Sequence, residues 1–236
     1  MSRAGAGLQR FHKLMTGIGS KHEAAEAFEG LLDFIIAGHC IDGTITFDRG
    51  GAFSKEEAKT FYDLYAEVVG VMDKRLDGET KWFDPFGAYY EEFVASASKK
   101  SGSGQFFTPV PVCDAMAVMA LGEVGAPGIP RVNDPACGSG RTLLAFHAGY
   151  GARSYLVAED IDRFSCKMCV CNFMLNGCVG EVLWHNSLDP RQFHYGWRVN
   201  RFLYDPLWAP AVPHVETLTD GREGGAGGGR GVGGRV

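Results

Sequence analysis

Seven residues, Asp134-Pro135-Ala136-Cys137-Gly138-Ser139-Gly140, constrain this chain more than any other stretch. The short apolar-centred run Arg131-Val132-Asn133 precedes them, and the apolar-periodic segment 141–150 follows. Locally that order predicts a strand, a glycine turn and a helix. Glycines there let the backbone approach a ligand closely, and the helix that follows presents unpaired N–H groups at its start. The spacing is neither the G-x-G-x-x-G of dinucleotide binders nor a phosphate loop ending in Gly-Lys-Ser/Thr. A second feature lies about twenty residues on, where the strand-like run 154–158 ends in Glu159-Asp160-Ile161-Asp162. An acid at the end of the next strand is placed to accept hydrogen bonds from both hydroxyls of a ribose. Capping of the following helix by Asp160 or Asp162 competes with that role, and the two roles can fall to different members of the pair.

The surrounding pattern fixes the fold class. Residues 23–37 carry Ala27, Phe28, Leu31, Leu32, Ile35 and Ile36 at helical spacing. Ser54-Lys55-Glu56-Glu57 reads as a capping box opening a second helix. Asp84-Pro85 opens a third, with proline at its first position. Beyond the glycine- and serine-containing link 99–104, helices are expected at 112–121, 141–150 and 161–175. Strands are expected at 131–133, 154–158, 179–185 and 198–204. Such alternation predicts an α/β fold: a mostly parallel, Rossmann-like sheet with helices on both faces, behind an N-terminal helical domain. The expected division is a helical domain at 1–98, a ligand-binding sheet domain at 99–213 and a glycine-rich tail at 214–236.

Charge and composition narrow the partners. The net charge is −5, so the chain does not hold nucleic acid by bulk charge; contact is local, or another subunit supplies the positive surface. No apolar run reaches the length of a membrane span, and residues 1–17 lack the apolar core of a signal peptide. With seven cysteines, an odd number, the expectation is free thiols and a cytoplasmic protein. Cys166, Cys169, Cys171 and Cys178 cluster, but they fall along a helix where small apolar cysteines pack, and no metal is expected.

A third motif, Gly104-Gln105-Phe106-Phe107-Thr108-Pro109, lies about 25 residues before the glycine loop. Taken with that loop, it makes the chain resemble the DNA adenine-N6 methyltransferases, and more narrowly the modification subunit of type I restriction systems. The flanks agree: Asp84-x-x-Gly87-x-x-Tyr90-Glu91, Met168-x-x-x-Asn172 and His185-Asn186-Ser187-Leu188 fall where that family has related motifs. The resemblance spans about residues 84–188. It implies a partial methyltransferase sheet, S-adenosylmethionine as cofactor, DNA as substrate and a separate specificity subunit as partner. It further implies that Gln105, Phe106, Thr108 and Pro109 line the methionine end. Asp134, Ala136, Gly138, Ser139 and Gly140 would form the loop beneath it, Asp160 would hold the ribose, Ile161 would lie against the adenine ring, and Asn186 would face the adenine edge.

The family's catalytic Asn-Pro-Pro-aromatic element has no full counterpart. At about its position stands Asp205-Pro206-Leu207-Trp208, where Asp205 could accept the hydrogens of the target amino group and Trp208 could stack on the base. Leu207 lacks the fixed φ of the second proline, and a plain loop is the competing assignment. Nine of the 33 glycines fall in the last sixteen residues. Removing that tail leaves room for about half of a seven-stranded methyltransferase sheet. The expectation is therefore an adenine-N6 DNA methyltransferase of a restriction-modification type system or, as the alternative, a catalytically impaired or shortened cofactor-binding module derived from one.

Overall fold

The computed structural model describes residues 9–18, 21–47, 52–76, 80–94, 107–121, 129–150, 154–189, 191–205 and 212–218. Three helices come first: α1 (Gln9–Ile18), α2 (Ala24–Gly38) and α3 (Lys55–Arg75). The helix at 55–75 begins as its sequence dictates. Ser54 Oγ accepts from the Glu57 N–H at 3.3 Å, and Glu57 Oε2 accepts from the Ser54 N–H at 2.7 Å, so two otherwise orphaned donors are satisfied. Helix α4 (Pro85–Tyr89) is a short segment capped by Asp84 that runs on into a π-turn over Tyr90–Val94. Helix α5 (Val110–Leu121) then leads toward the sheet.

Among the described residues the sheet has five strands in sequential order: β1 (Arg131–Asp134), β2 (Tyr155–Asp160), β3 (Val179–His185), β4 (Phe193–Val199) and β5 (Val215–Leu218). Helix α6 (Arg141–Tyr150) links β1 to β2, and α7 (Arg163–Leu175) links β2 to β3. Strands β1, β2 and β3 are parallel, in the βαβ arrangement that the strand–turn–helix pattern predicts.

Beyond β3 the expectation of a mostly parallel sheet fails. Strand β4 pairs antiparallel with β3, and β5 antiparallel with β4. The fourth strand also lies earlier than the expected 198–204. The alternation in Phe-His-Tyr-Gly-Trp-Arg-Val gives the strand, and Asn200, with φ at +56°, turns the chain out of it into the turn at 201–204. The stretch assigned to a tail beginning at 214 opens with a strand instead. Val215 donates its N–H to His39 and accepts from Ile41 through its carbonyl, so β5 is pinned at once to β4 and to the end of α2.

One face of the sheet is covered and buries Leu156, Ala158 and Val182 completely. Two consecutive crossovers in one direction place α6 and α7 on that same face, because such crossovers are right-handed. Helices on both faces were expected; among the described residues the other face carries side chains, and there Tyr155 donates to Glu181 at 2.6 Å while Arg198 pairs with it at 3.3 Å. The N-terminal helices share one continuous core with the sheet. Phe28 of α2 meets Phe164 of α7 at 5.7 Å between ring centroids, and Lys167 of α7, 1% exposed, reaches Glu29 at 2.7 Å and Asp33 at 2.6 Å. Cys166, Cys169, Cys171 and Cys178 are buried in that core.

Candidate cofactor crevice

The C-terminal ends of parallel strands are where an α/β sheet presents ligands with backbone N–H groups and strand-end side chains. Here those ends carry Asp134 on β1, Asp160 on β2 and Asn186 just after β3. Asp134 closes its own turn: Oδ1 accepts from the Ala136 N–H at 3.1 Å and Oδ2 from the Thr142 hydroxyl. The glycine loop lies across the end of β2, with the Cys137 N–H donating to the Glu159 carbonyl at 2.9 Å. Ser187, in the turn after β3, clamps it by donating to the Pro135 carbonyl at 2.8 Å. Gly138 stands at φ +54°, and a Cβ there would lie 2.8 Å from the Phe107 ring, so both conformation and space require glycine.

Asp160 and Asp162 are engaged differently. Asp162 caps α7, accepting from the Ser165 N–H at 2.9 Å. Asp160 turns toward the loop, where Oδ2 accepts from the Gly138 N–H at 2.8 Å and Oδ1 from the Asp162 N–H at 2.8 Å. Burial raises the Asp160 carboxyl above its ordinary value, against the lowering effect of those two N–H donors. Each oxygen retains acceptor capacity. Beside it, His185 donates through Nε2 to Glu159 at 2.7 Å. Two apolar side chains flanking these strand ends are exposed, Ile161 at 68% and Leu188 at 95%. Asn186 accepts from the Leu188 N–H at 3.1 Å.

Beneath the loop lies a buried polar hub that the sequence analysis did not assign to the site. The Asp84 carboxylate, 2% exposed, accepts from Arg141 Nε at 2.6 Å, Ser139 Oγ at 2.7 Å, the Gly87 N–H at 2.7 Å and Asn172 Nδ2 at 2.6 Å. Arg141 also pairs with Glu91 at 2.8 Å, and Glu91 accepts from the Phe107 N–H at 3.2 Å. The Arg141 guanidinium lies 5.2 Å from the Phe107 ring centroid. The hub accounts for several otherwise separate motifs. Asp84, Gly87 and Glu91 come from one, Phe107 from the Thr-Pro motif, Ser139 and Arg141 from the glycine loop and its helix, and Asn172 from α7. The available signal was Asp84-x-x-Gly87 ahead of the loop, yet nothing local in it announces a partner 57 residues away.

Asp134, Ala136, Gly138, Gly140, Asp160, Ile161 and Asn186 gather at the strand ends. Ser139 belongs to the loop, but its hydroxyl is committed to Asp84 and is 1% exposed. Thr108 touches the hub through its carbonyl, which accepts from Arg141 at 3.4 Å, and Pro109 stands just before α5, its carbonyl accepting from Val112 and Cys113. Gln105 and Phe106 lie outside the described residues, as do Pro206 and Trp208.

Asp205 is described, exposed, and not brought to the crevice. Because β4 runs antiparallel, with Phe193 opposite His185 and Val199 opposite Gly180, its end lies at the start of β3. Tyr204 fixes the turn there by donating to the Gly177 carbonyl at 2.9 Å. Seven residues of β3, about 20 Å of strand, separate that end from the crevice.

The family model for N-6 DNA methylases matches residues 81–209, more than half of the chain. The chain belongs to the N-6 DNA methylase family. The matched span begins three residues before Asp84 and so takes in the hub, the glycine loop, Asp160, Asn186 and Asp205. Family membership makes DNA the substrate class of the methylase domain and methyl transfer its chemistry. No solved structure matches the chain.

Proposed function

We propose that the chain binds S-adenosylmethionine in the crevice at the ends of β1, β2 and β3 and serves methyl transfer to adenine N6 in DNA, within a restriction-modification type system. The observation that carries this is the convergence of the Asp134–Gly140 loop, the Asp160 carboxylate and Asn186 on one crevice, inside the span matched to the methylase family. The donor set fits the cofactor: a carboxylate with spare acceptor capacity for two ribose hydroxyls, a loop free of side chain at Gly138, and an exposed apolar residue, Ile161, for a flat ring. When bound, the cofactor would supply an electrophilic methyl group. Asp160 would accept from the ribose hydroxyls, Asn186 would meet the adenine edge, and Thr108 and Pro109 with Gln105 and Phe106 would close the methionine end. The buried Asp84–Arg141 pair would hold the loop in place for that contact. The separate specificity subunit and the cytoplasmic setting are part of this proposal and rest on the resemblance described above.

A second reading is favoured by the position of Asp205 at the opposite end of the sheet: a cofactor-binding module whose own Asp205-Pro206-Leu207-Trp208 segment does not act on the base. Two measurements separate the readings. Titration calorimetry with S-adenosylmethionine should show binding that weakens by about 1–3 kcal/mol in Asp160→Ala, the scale for losing charge-assisted hydrogen bonds; unchanged affinity removes Asp160 from the site. Methyl labelling of adenine-containing DNA, with a specificity subunit supplied, should be abolished in Asp205→Ala while cofactor binding persists if Asp205 is catalytic. Cofactor binding by the wild-type chain without any labelling supports the module.

A further inference from the structure

A cavity of about 520 Å³ opens on the covered face of the sheet, between α2, the start of α7 and strands β3 and β4. It is distinct from the crevice at the strand ends and shares none of the glycine loop, Asp160 or Asn186. Its volume lies within the range of small-ligand sites, which are apolar concavities with a few placed polar groups. Three large rings from the strands line it: Trp184 of β3, and Tyr195 and Trp197 of β4. Deeper in the sheet the same face is filled by Leu156, Ala158 and Val182, so the aromatic residues are concentrated where the cavity opens. His194 joins them, its ring 4.6 Å from that of Trp184 and tilted by 33°. Tyr195 and Trp197 meet edge to face at 5.0 Å.

Charge along the cavity is graded. At its floor, Lys167 is already shared between Glu29 and Asp33, one positive charge against two negative, so a further anion is unwelcome there. At its mouth stands Arg163, an exposed residue whose guanidinium lies 5.5 Å from the Trp184 ring centroid. A ligand suited to this gradient has an anionic group at one end and a flat ring bearing N–H donors at the other. Aromatic rings accept nucleobases by stacking, and a guanidinium pairs with phosphate through two parallel hydrogen bonds. We propose that this cavity binds a nucleoside 5′-phosphate, with its base among Trp184, Tyr195 and His194 and its phosphate on Arg163. The nucleotide is either free or one unit of a single strand. Trp184 also donates through its indole N–H to the Ile161 carbonyl at 3.0 Å, one residue from Asp160, so the ring that receives the base is the same ring that braces the turn after β2.

The test is a tryptophan-fluorescence titration of the full chain with deoxyadenosine 5′-monophosphate, deoxyadenosine, inorganic phosphate and a single-stranded deoxyadenosine 12-mer. Saturable quenching by the monophosphate is expected, with weaker binding of deoxyadenosine and no quenching by phosphate alone. Arg163→Ala should weaken the monophosphate about tenfold and leave deoxyadenosine unchanged, the scale for a charge-assisted contact. Arg163→Gln repeats the test with the side-chain stem retained, and far-ultraviolet circular dichroism verifies both folds. Trp184→Phe should remove most of the quenching. Asp160→Ala should leave monophosphate binding intact. A 12-mer that binds more than tenfold tighter than the monophosphate identifies strand nucleotides as the ligand, and equal affinity identifies the free nucleotide. Unchanged monophosphate affinity in both Arg163 variants overturns the proposal. Loss of binding in Asp160→Ala, or competition by S-adenosylhomocysteine with affinity independent of Arg163, assigns the nucleotide to the strand-end crevice and also overturns it.

Discussion

Replacing Arg141 by Met tests whether the buried hub holds the glycine loop. The substitution keeps an unbranched side chain on α6 but strands the Asp84 carboxylate, whose side chain is 2% exposed. Removing one partner of a buried ion pair costs about 3–5 kcal/mol, because the other charge is left uncompensated. Asp84 would keep three donors, from Gly87, Ser139 and Asn172, all within 2.7 Å, which places the expected loss at the lower end, about 3 kcal/mol. The Arg141–Glu91 contact adds at most about 1 kcal/mol, since the Glu91 side chain is a third exposed. Against a typical total of about 5–15 kcal/mol this is a large fraction. With a urea m-value of about 1–3 kcal/mol per molar, the unfolding midpoint should fall by about 1 M or more. Adding Asp84→Asn to Arg141→Met removes the stranded charge while keeping the shape of the side chain. The double variant should regain about 1–2 kcal/mol over Arg141→Met alone. A single variant within about 1 kcal/mol of wild type, or a double variant no more stable than the single one, refutes the argument.

Gly87→Ala places a Cβ 2.6 Å from Ser139 Oγ and closer still to the Asp84 carboxylate, so it should cost about 1–3 kcal/mol and lower the melting temperature by several degrees. Gly70→Ala in α3, with nothing within 4 Å of its Cβ, should leave stability unchanged or raise it by up to about 1 kcal/mol; similar melting temperatures for the two would discount the crowding. Burial pushes up five of the seven thiols, Cys113 to about 11, and a hydrogen bond with Cys169 together with burial pushes up Cys137, while Cys40 is half-buried; Ellman's reagent at pH 8 should therefore find one fast thiol in the folded chain and seven after unfolding. Two or more fast thiols would contradict that burial. Desolvation holds His147 below its ordinary value of 6.5, opposed by a backbone hydrogen bond with Asn176. The unfolded chain therefore takes up the proton first, and this contribution to stability is lost as pH falls from about 6.5 toward the folded value. Urea midpoints at pH 7.5 and 5.5 should differ less in His147→Gln than in wild type, and an equal difference would exclude this residue as the source.

What was legible in the sequence is what local chemistry decides. The Ser54–Glu57 box, the proline after Asp84, and the strand–turn–helix at Asp134–Gly140 each act through neighbours a few residues away, and each forms as read. Asp160 at the end of β2 follows from the same pattern. The direction of β4 was not legible, because parallel and antiparallel strands carry the same alternation, and what sets the difference is the short connection from His185 to Phe193. That one reversal carries Asp205 away from the strand ends, where a parallel fourth strand would have kept it. The hub was not legible for a different reason. Asp84 and Arg141 each look like a helix-end residue, and only the packing of α4 and α7 against the glycine loop makes them partners.

The pairing of Val215 with the backbone on either side of Cys40 ties two segments that ribosomal synthesis separates by most of the chain. The edge of the sheet cannot be completed until residues after Asp205 have been made, long after α2 and the glycine loop have emerged. Contacts of such sequence separation fold slowly, because loop closure must precede their gain. Until then β4 presents an unpaired edge bearing Tyr195 and Trp197, the kind of surface that invites association with other chains. Until β5 is in place the nascent protein exposes that edge, and a chaperone acting on it would find its window there.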